Sequence, residues 1–128
     1  MKASSALGLL VLLTGLLLRP AAAAIAAGPL ELYGTFHSMG IILTLDSGDD
    51  PDGDASAQVK YRISGSESYR QGFPLSRVVE TRFVGSLFSL EPGTRYDVRV
   101  VLADPDGGPL DGAILESTEA TRAEIEIP

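Results

Sequence analysis

From Leu30 onward, apolar and polar side chains alternate along the chain with a period of two, and no apolar stripe of helical spacing is sustained. The alternation is clearest at 59–64 and 96–103, where every second residue is Val, Ile, Leu or Tyr. Successive side chains of a β-strand point to opposite faces of the sheet. The pattern therefore predicts strands with one buried and one solvated face, and an all-β fold.

Stretches rich in Gly, Pro, Ser and Asp separate the alternating runs, at 46–54, 64–66, 91–94 and 104–112. Pro presets φ for the second position of a turn and Gly accepts positive φ, so the tetrapeptides DPDG and EPGT favour turns. About seven short strands at a spacing of roughly 8–12 residues are typical of an antiparallel, immunoglobulin-like β-sandwich. No run is long enough to supply the helix of a βαβ unit.

The segment 86–107, SLFSLEPGTRYDVRVVLADPDG, resembles a fibronectin type III domain. In that family a Leu-x-Pro-Gly-Thr-x-Tyr-x-Val-x-Val run joins the fifth and sixth strands, and every specified position is matched here from Leu90 onward. The resemblance implies that Leu90 fills the core and that Pro92-Gly93 turns the corner. It also implies that the Tyr96 ring is buried while its hydroxyl bonds the upstream backbone. The alternative is a generic turn followed by a strand.

One position departs from the family pattern. The family usually has an aromatic residue, often Trp, in its second strand, whereas this chain contains no Trp. Leu43 or Leu45 must therefore fill that space in the core.

Three segments extend the resemblance over most of the chain from Ser38: SMGIILTLDSGDDPDGDASAQVKYR, SYRQGFPLSR and FVGSLFSLEPGTRYDVRVVLADPDGG. Together they are similar to a fibronectin type III-like module of secreted bacterial proteins. That module often precedes a right-handed parallel β-helix domain that acts on or binds polysaccharides. The final TRAEIEIP, from Thr121, looks like the segment that leads out of the module. The resemblance implies an accessory role, with a downstream β-helix domain or an extracellular polysaccharide as partner, and carries over no catalytic residue.

The N-terminus has the layout of a secretory signal peptide. A basic start at Lys2 is followed by the uncharged apolar run Ala6–Leu18, and a series of small residues then offers several cleavage sites. The apolar run is shorter than the ~20 residues that cross a bilayer. The alternative is an uncleaved anchor over 7–27, in which Arg19 is tolerated near the end of the span.

We therefore divide the chain into three parts and expect the protein to be secreted or periplasmic. The signal peptide covers 1–24, with cleavage as late as 27, the fibronectin type III-like domain covers 28–120, and an exit segment or linker covers 121–128.

The composition excludes several kinds of site and partner. The chain has no Cys and a single His, so it has no disulfide, no thiolate zinc site, no Cys nucleophile and no His-rich metal site. Its net charge of −7 opposes binding to the phosphates of nucleic acids and to anionic membrane surfaces. We predict no nucleic-acid partner and no membrane contact beyond the signal peptide.

Two acidic loops share the tetrapeptide Asp-Pro-Asp-Gly, at 50–53 and 104–107. Loops at these places emerge at the same end of a fibronectin-type sandwich, and clustered carboxylates on Gly-rich turns suit Ca²⁺. The spacing is not that of an EF-hand. The alternative is two solvated turns whose Asp side chains cap their own backbone. We predict no bound cofactor; the alternative is a calcium ion, for which the candidate ligands are Asp50, Asp52, Asp54, Asp104 and Asp106.

No catalytic constellation emerges from the sequence. His37 and Ser38 are neighbours on an extended segment and point to opposite faces, so they cannot act as base and nucleophile. No serine lies in a G-x-S-x-G elbow. No spacing selects a pair among the 17 acidic residues for glycoside hydrolysis. We predict that the chain is not an enzyme.

Basic and aromatic residues are interleaved in one region, which could bind carbohydrate or peptide through ring stacking and planar Arg hydrogen bonds. The members are Arg70, Arg77, Arg82, Tyr69, Phe73 and Phe83. The better interpretation is structural, because aromatic residues are most often core. We therefore predict that the aromatic residues, together with Val78, are the apolar core residues of the middle strands and that the arginines point to water.

These observations predict an exported, non-catalytic β-sandwich module that acts as a spacer, docking or accessory domain of a polysaccharide-related bacterial protein. The alternative is a stand-alone calcium- or carbohydrate-binding domain that uses the two acidic loops.

Overall fold

The computed structural model describes residues 30–125, within which the chain forms eight β-strands and no helix. The predicted signal peptide and residues 126–128 of the predicted exit segment lie outside the described residues. No helix long and apolar enough to cross a membrane occurs between residues 30 and 125. The strands are β1 (Leu30–Gly34), β2 (Met39–Thr44), β3 (Ser56–Ile63), β4 (Arg70–Gln71), β5 (Ser76–Val79), β6 (Arg82–Leu87), β7 (Arg95–Ala103) and β8 (Ile114–Ala120).

The strands form two four-stranded sheets, in the orders β1-β2-β6-β5 and β4-β3-β7-β8, and every neighbouring pair is antiparallel. The chain crosses from one sheet to the other after β2, after β4 and after β6. This arrangement is an all-β, fibronectin type III-like sandwich, which confirms the fold predicted from the alternation and the turn spacing. An eighth strand arises because residues 70–79 contain two short strands, one in each sheet.

The core lies between the sheets and is formed by the inward side of each strand. β7 shows this most clearly, because its apolar residues at alternate positions are at most 4% exposed while its intervening residues are partly exposed. Burying a Leu or Val side chain contributes about 1.5–3 kcal/mol, so the alternating residues are the main source of stability. Leu43 and Leu45, the two candidates for the place of the missing aromatic residue, are both buried. The inward residues of the central strands are Met39, Ile41, Leu43, Ala57, Val59, Phe83, Leu87, Tyr96, Val98, Val100 and Leu102.

One edge of the sandwich closes where the end of β1 meets the end of β8. The Arg122 N–H donates to the carbonyl of Thr35 at 2.8 Å and so links the two sheets. Gly34 comes so close to β8 that a Cβ built on it would lie 2.2 Å from the Ala120 carbonyl oxygen. A glycine is therefore required at this contact.

The prediction that the apolar residues of the segment 69–83 are core and that its arginines point to water is wrong for three residues. Phe73 is 73% exposed and Val78 is 53% exposed, so neither belongs to the core. Arg77 does not point to water, because its guanidinium is drawn inward by the buried Asp50 carboxylate. The reason lies in the topology: the chain passes from one sheet to the other between β4 and β5, and this irregular stretch does not follow the period of a long strand.

Candidate functional site

Two acidic loops meet at one end of the sandwich. The first residue of β3, Ser56, pairs with the last residue of β7, Ala103, so the loop that precedes β3 lies beside the loop that follows β7. The carboxylate oxygens that this places together all lie within 4.8 Å of one another. They belong to four of the five residues predicted as ligands: Asp50, Asp52, Asp54 and Asp104. We refer to these four residues as the acidic cluster.

Both Asp-Pro-Asp-Gly tetrapeptides form the turns that their sequence favours. The Gly53 N–H donates to the Asp50 carbonyl at 3.1 Å, and the Gly107 N–H donates to the Asp104 carbonyl at 2.9 Å. Both glycines have positive φ, 69° and 76°, which a glycine adopts without strain. Each loop therefore presents its carboxylates from a defined turn.

Asp50 anchors the first loop from a buried position, its side chain being 1% exposed. Its Oδ2 accepts a hydrogen bond from the Ala55 N–H at 3.0 Å and pairs with the Arg77 guanidinium. Its Oδ1 is buried, and no group among residues 30–125 hydrogen bonds with it. A buried carboxylate oxygen without a partner is costly, so this atom is available to accept a hydrogen bond or to coordinate a cation.

Asp104 anchors the second loop and is 8% exposed. Its Oδ1 accepts a hydrogen bond from the Asp106 N–H at 3.1 Å, while its own N–H donates to Asp111 Oδ1 at 3.1 Å. Asp106, the fifth predicted ligand, lies at the margin of the acidic cluster, where its carboxyl group hydrogen bonds with that of Asp52.

The carboxyl groups in and beside the acidic cluster perturb one another strongly. Desolvation raises the pKa of Asp54 to about 7, helped by a hydrogen bond with Asp52 and by repulsion from Asp106 and Asp52. The hydrogen bond between Asp52 and Asp106 lowers the pKa of Asp52 and raises that of Asp106. These directions are those of carboxyl groups too close to ionise independently. Such an arrangement can hold a proton or a hard cation.

A second group of predicted residues forms the corner between β6 and β7. Leu90 and Tyr96 are both 4% exposed, and the Tyr96 hydroxyl accepts a hydrogen bond from the Glu91 N–H at 2.9 Å. Pro92 is half-buried, and Gly93 has a φ of 58° at the turn. These contacts are structural, and none of them leaves a free group that could react with a substrate.

Thr121 belongs to the same corner, although its sequence position placed it in the exit segment. It is 4% exposed; its Oγ1 donates to the Glu91 carbonyl at 2.6 Å and accepts from the Thr94 N–H at 3.0 Å. Only the similarity of TRAEIEIP to a closing segment pointed to this residue, and it gave no hint that the hydroxyl ties the last strand to the corner.

The interleaved arginines and aromatic residues do not form a single surface. Arg70 lies in the β4-β3-β7-β8 sheet, whereas Arg82 lies in the other sheet. Phe83 is 2% exposed and lies beneath Arg77, whose Cζ is 4.5 Å from the ring centroid. The residues that the sequence suggested as a binding patch therefore do not lie together. Phe83 is in the core, Arg77 is in an ion pair with Asp50, and Arg70 and Arg82 belong to different sheets.

Tyr69 is enclosed by two guanidinium groups. The Cζ atoms of Arg62 and Arg99 lie 4.6 and 4.3 Å from its ring centroid. Both distances are within the range of cation–π attraction, which stabilises this outer face of the sheet.

An exposed groove lined by aromatic residues lies elsewhere on the sandwich, and the preferred interpretation of the sequence did not predict it, because it assigned Phe73 to the core. Phe73 and Phe88 are 73% and 59% exposed and line a groove of about 510 Å³ together with Tyr61 and Leu87. The groove is lined on one side by the end of β4 and the residues that follow it, and on the other by the end of β6 and the residues that follow it.

His37 and Ser38 have separate partners. His37 Nε2 lies 3.3 Å from Glu124 Oε1, and its Nδ1 lies 3.4 Å from the Leu90 carbonyl oxygen. The Ser38 hydroxyl hydrogen bonds with Thr35 Oγ1 at 2.6 Å. The two side chains do not form a nucleophile and base pair.

Comparison with known proteins rests on structure alone, because no family model and no curated protein matches the sequence. The chain is similar to a structure of the sensor domain of the anti-sigma factor RsgI4 of Pseudobacteroides cellulosolvens, at 17% identity and a TM-score of 0.51 over 83% of this chain and 95% of that one. A solution structure of the same sensor domain gives 17% identity and a TM-score of 0.52 over 79% and 76%. At this identity the likeness shows the fold.

A fibronectin type III domain of human fibronectin type III domain containing protein 3 also matches, at 12% identity, over 80% of this chain and 94% of that one. Its TM-score of 0.47 is too low to carry an argument. The strand order of the two sheets, which is seen directly, supports the fibronectin type III-like description.

Proposed function

We propose that the chain is an exported, non-catalytic β-sandwich module that acts as a spacer, docking or accessory domain of a polysaccharide-related bacterial protein. The signal-peptide pattern at 1–24 and the similarity to modules that precede a β-helix domain support export and the accessory role. The sensor domain of a bacterial anti-sigma factor, to which the chain is similar, is a module with this fold.

The observation that carries the proposal is the path of the chain through the sandwich. Leu30, at the start of β1, pairs with Leu43, next to the loop that carries the acidic cluster. Thr121 leaves β8 at the other end of β1, beside Thr35 and the Tyr96 corner. Since the chain enters at one end of a rigid sandwich and leaves at the other, the module is suited to hold flanking segments apart.

Export and the lack of catalysis are tested together by expressing all 128 residues in a bacterial host with two membranes. We expect a processed chain in the periplasm whose mass places its first residue between 25 and 28. We also expect that the processed chain releases no sugar from plant or bacterial polysaccharides. Retention of the leader in the cytoplasm would contradict export, and hydrolysis abolished by one carboxylate substitution would contradict the non-catalytic role.

Docking on polysaccharide is tested at the exposed groove. If the module itself binds the polymer, Phe73→Ala should reduce its co-sedimentation with insoluble polysaccharide, while Val79→Ala, at another exposed apolar site, should not. If the wild-type protein does not sediment with the polysaccharide, the module acts as a spacer rather than as the part that binds the polymer.

The second candidate function is a stand-alone domain that binds calcium or carbohydrate through the acidic loops. The convergence of four carboxylates from both loops favours its calcium form.

A further inference from the structure

The acidic cluster contains a buried atom that the fold does not satisfy. Asp50 Oδ2 accepts from Ala55 and Arg77, whereas no donor among residues 30–125 reaches the buried Oδ1, and a carboxylate oxygen of Asp50 lies within 4.8 Å of one of Asp52. The fold thus buries one carboxylate at the base of a group of carboxylates and leaves one of its oxygens free for a ligand.

The spacing of the cluster fits a single cation. Calcium–oxygen distances are about 2.3–2.6 Å, so ligands on opposite sides of the ion lie about 4.6–5.2 Å apart. The four carboxylate oxygens all lie within 4.8 Å of one another, so none of their separations exceeds those found between ligands of one calcium ion.

Protein cations do not neutralise the cluster. Among residues 30–125, Arg77 is the one basic side chain in an ion pair with a cluster member, and it reaches Asp50 alone. The Arg77 guanidinium also donates to the Glu80 carbonyl, so it is held away from the other three carboxylates. Close carboxylates repel in the absence of a counter-ion, and a divalent cation would remove that repulsion.

We propose that the acidic cluster is a calcium site that fastens the β2–β3 loop to the β7–β8 loop. The ligands are carboxylate oxygens from Asp50, Asp52, Asp54 and Asp104, and the Asp50 ligand is its free Oδ1. The inference deepens the second candidate function and does not depend on the spacer role.

Calcium fits these ligands better than magnesium. Ca²⁺ takes 6–8 oxygen ligands in a flexible geometry, whereas Mg²⁺ requires a near-ideal octahedron at about 2.0–2.1 Å and usually keeps several waters. Four carboxylates from two irregular loops match the flexible geometry of Ca²⁺ coordination. The cluster contains no His or Cys, which removes the ligands that favour zinc or copper.

Thermal unfolding of the purified chain, stripped with EDTA and dialysed, tests the proposal. Calcium chloride and magnesium chloride are added in parallel at constant ionic strength, up to about 10 mM, which exceeds the dissociation constants of extracellular calcium modules. At a calcium concentration about ten times the dissociation constant, Tm should rise by about 5 °C or more, with a much smaller rise in magnesium. No calcium-dependent rise, or an equal rise in magnesium, would overturn the assignment.

Two variants locate the effect. Asp52→Asn and Asp54→Asn should each weaken calcium binding about tenfold or more by calorimetry, because each removes an ionised ligand. Asp46→Asn is the matched control: it lies in the same loop, is exposed and outside the cluster, and removes the same charge. It should change the calcium affinity less than about twofold.

The Tm of the metal-free variants separates a ligand from a structural residue. Removing one of several repelling carboxylates should leave the metal-free Tm of Asp52→Asn and Asp54→Asn unchanged or higher. A lower metal-free Tm, or an equal loss of affinity in Asp46→Asn, would contradict the site. Neither result would bear on export or on the lack of catalysis, whose readouts are separate.

Discussion

At the scale of single residues, the Tyr96 corner shows how one buried side chain can hold a turn at the surface through its hydroxyl. The hydroxyl accepts from the Glu91 N–H, while Thr121 takes up the Glu91 carbonyl. The N–H and the carbonyl of Glu91 are thus both paired by side chains that follow it in the sequence, one from β7 and one from the residue after β8.

Tyr96→Phe should destabilise the fold by about 1 kcal/mol, because it leaves the Glu91 N–H without its acceptor in a partly buried place. Tyr33→Phe is the control, since the Tyr33 hydroxyl bonds Glu31 on an exposed surface and its loss should cost about 0.5 kcal/mol or less. Urea unfolding measures both. Equal effects in the two variants would show that the corner bond is not what stabilises this turn.

Asp97 is held in its charged form by its neighbours. Hydrogen bonds from Ser64 and Arg62, and a further one from Thr118, lower its pKa. A depressed pKa in the folded state means that the stabilisation is fully present above the pKa of an unfolded Asp and is lost as the pH falls through the folded value.

Asp97→Asn should therefore reduce the free energy of unfolding by about 1 kcal/mol at pH 7, allowing for partial solvent screening. The difference from the wild type should shrink as the pH falls below about 4. Glu116→Gln, which affects a more exposed pair with Arg99, should have little effect at either pH. A difference for Asp97→Asn that stays constant down to pH 2 would contradict the ionic explanation.

At the scale of elements, how well the sequence predicts a segment depends on the length of its strand. β3 and β7 are eight and nine residues long, and their alternation is visible without a structure. β4 and β5 have two and four residues, too few for a period, so Phe73 and Val78 were assigned to the core by composition alone.

The same contrast holds for the candidate site. The repeated DPDG predicts two turns, and the fibronectin-type order predicts that they share one end of the sandwich. The partner of Asp50 could not be predicted, because Arg77 is 27 residues away and is brought to the cluster by the crossing between the sheets. Nor does any sequence pattern show which carboxylate oxygen remains unpaired.

Gly34→Ala should destabilise the edge where β1 meets β8 by about 2 kcal/mol or more, because the added Cβ would meet the Ala120 carbonyl oxygen at 2.2 Å and backbone must move. Gly40→Ala is the matched control in the neighbouring strand, where the nearest atom would be 3.9 Å away. It should be neutral or slightly stabilising, since Gly carries the larger entropic cost in a strand. Chemical denaturation that ranks the two variants in the reverse order would refute this account of the edge.

At the scale of the whole molecule, the acidic loops and the Tyr96 corner lie at opposite ends of the sandwich. The acidic loops lie at the end where the chain enters β1, and the Tyr96 corner and Thr121 lie at the end where it leaves β8. A module of this kind can bind an ion or partner at one end without disturbing the contacts that fix the exit of the chain at the other.

The positions of the acidic cluster and of the Tyr96 corner both depend on two antiparallel sheets that pack face to face through their alternating apolar residues. Residue-resolved amide hydrogen exchange of the purified chain tests that arrangement most directly, because protection reports which strands open last. The account predicts the slowest exchange in the central strands β2, β3, β6 and β7, and fast exchange in β4 and in the loops at 46–54 and 104–112. Protection that runs through consecutive residues with a helical pattern, or that is uniformly low across β3 and β7, would contradict it.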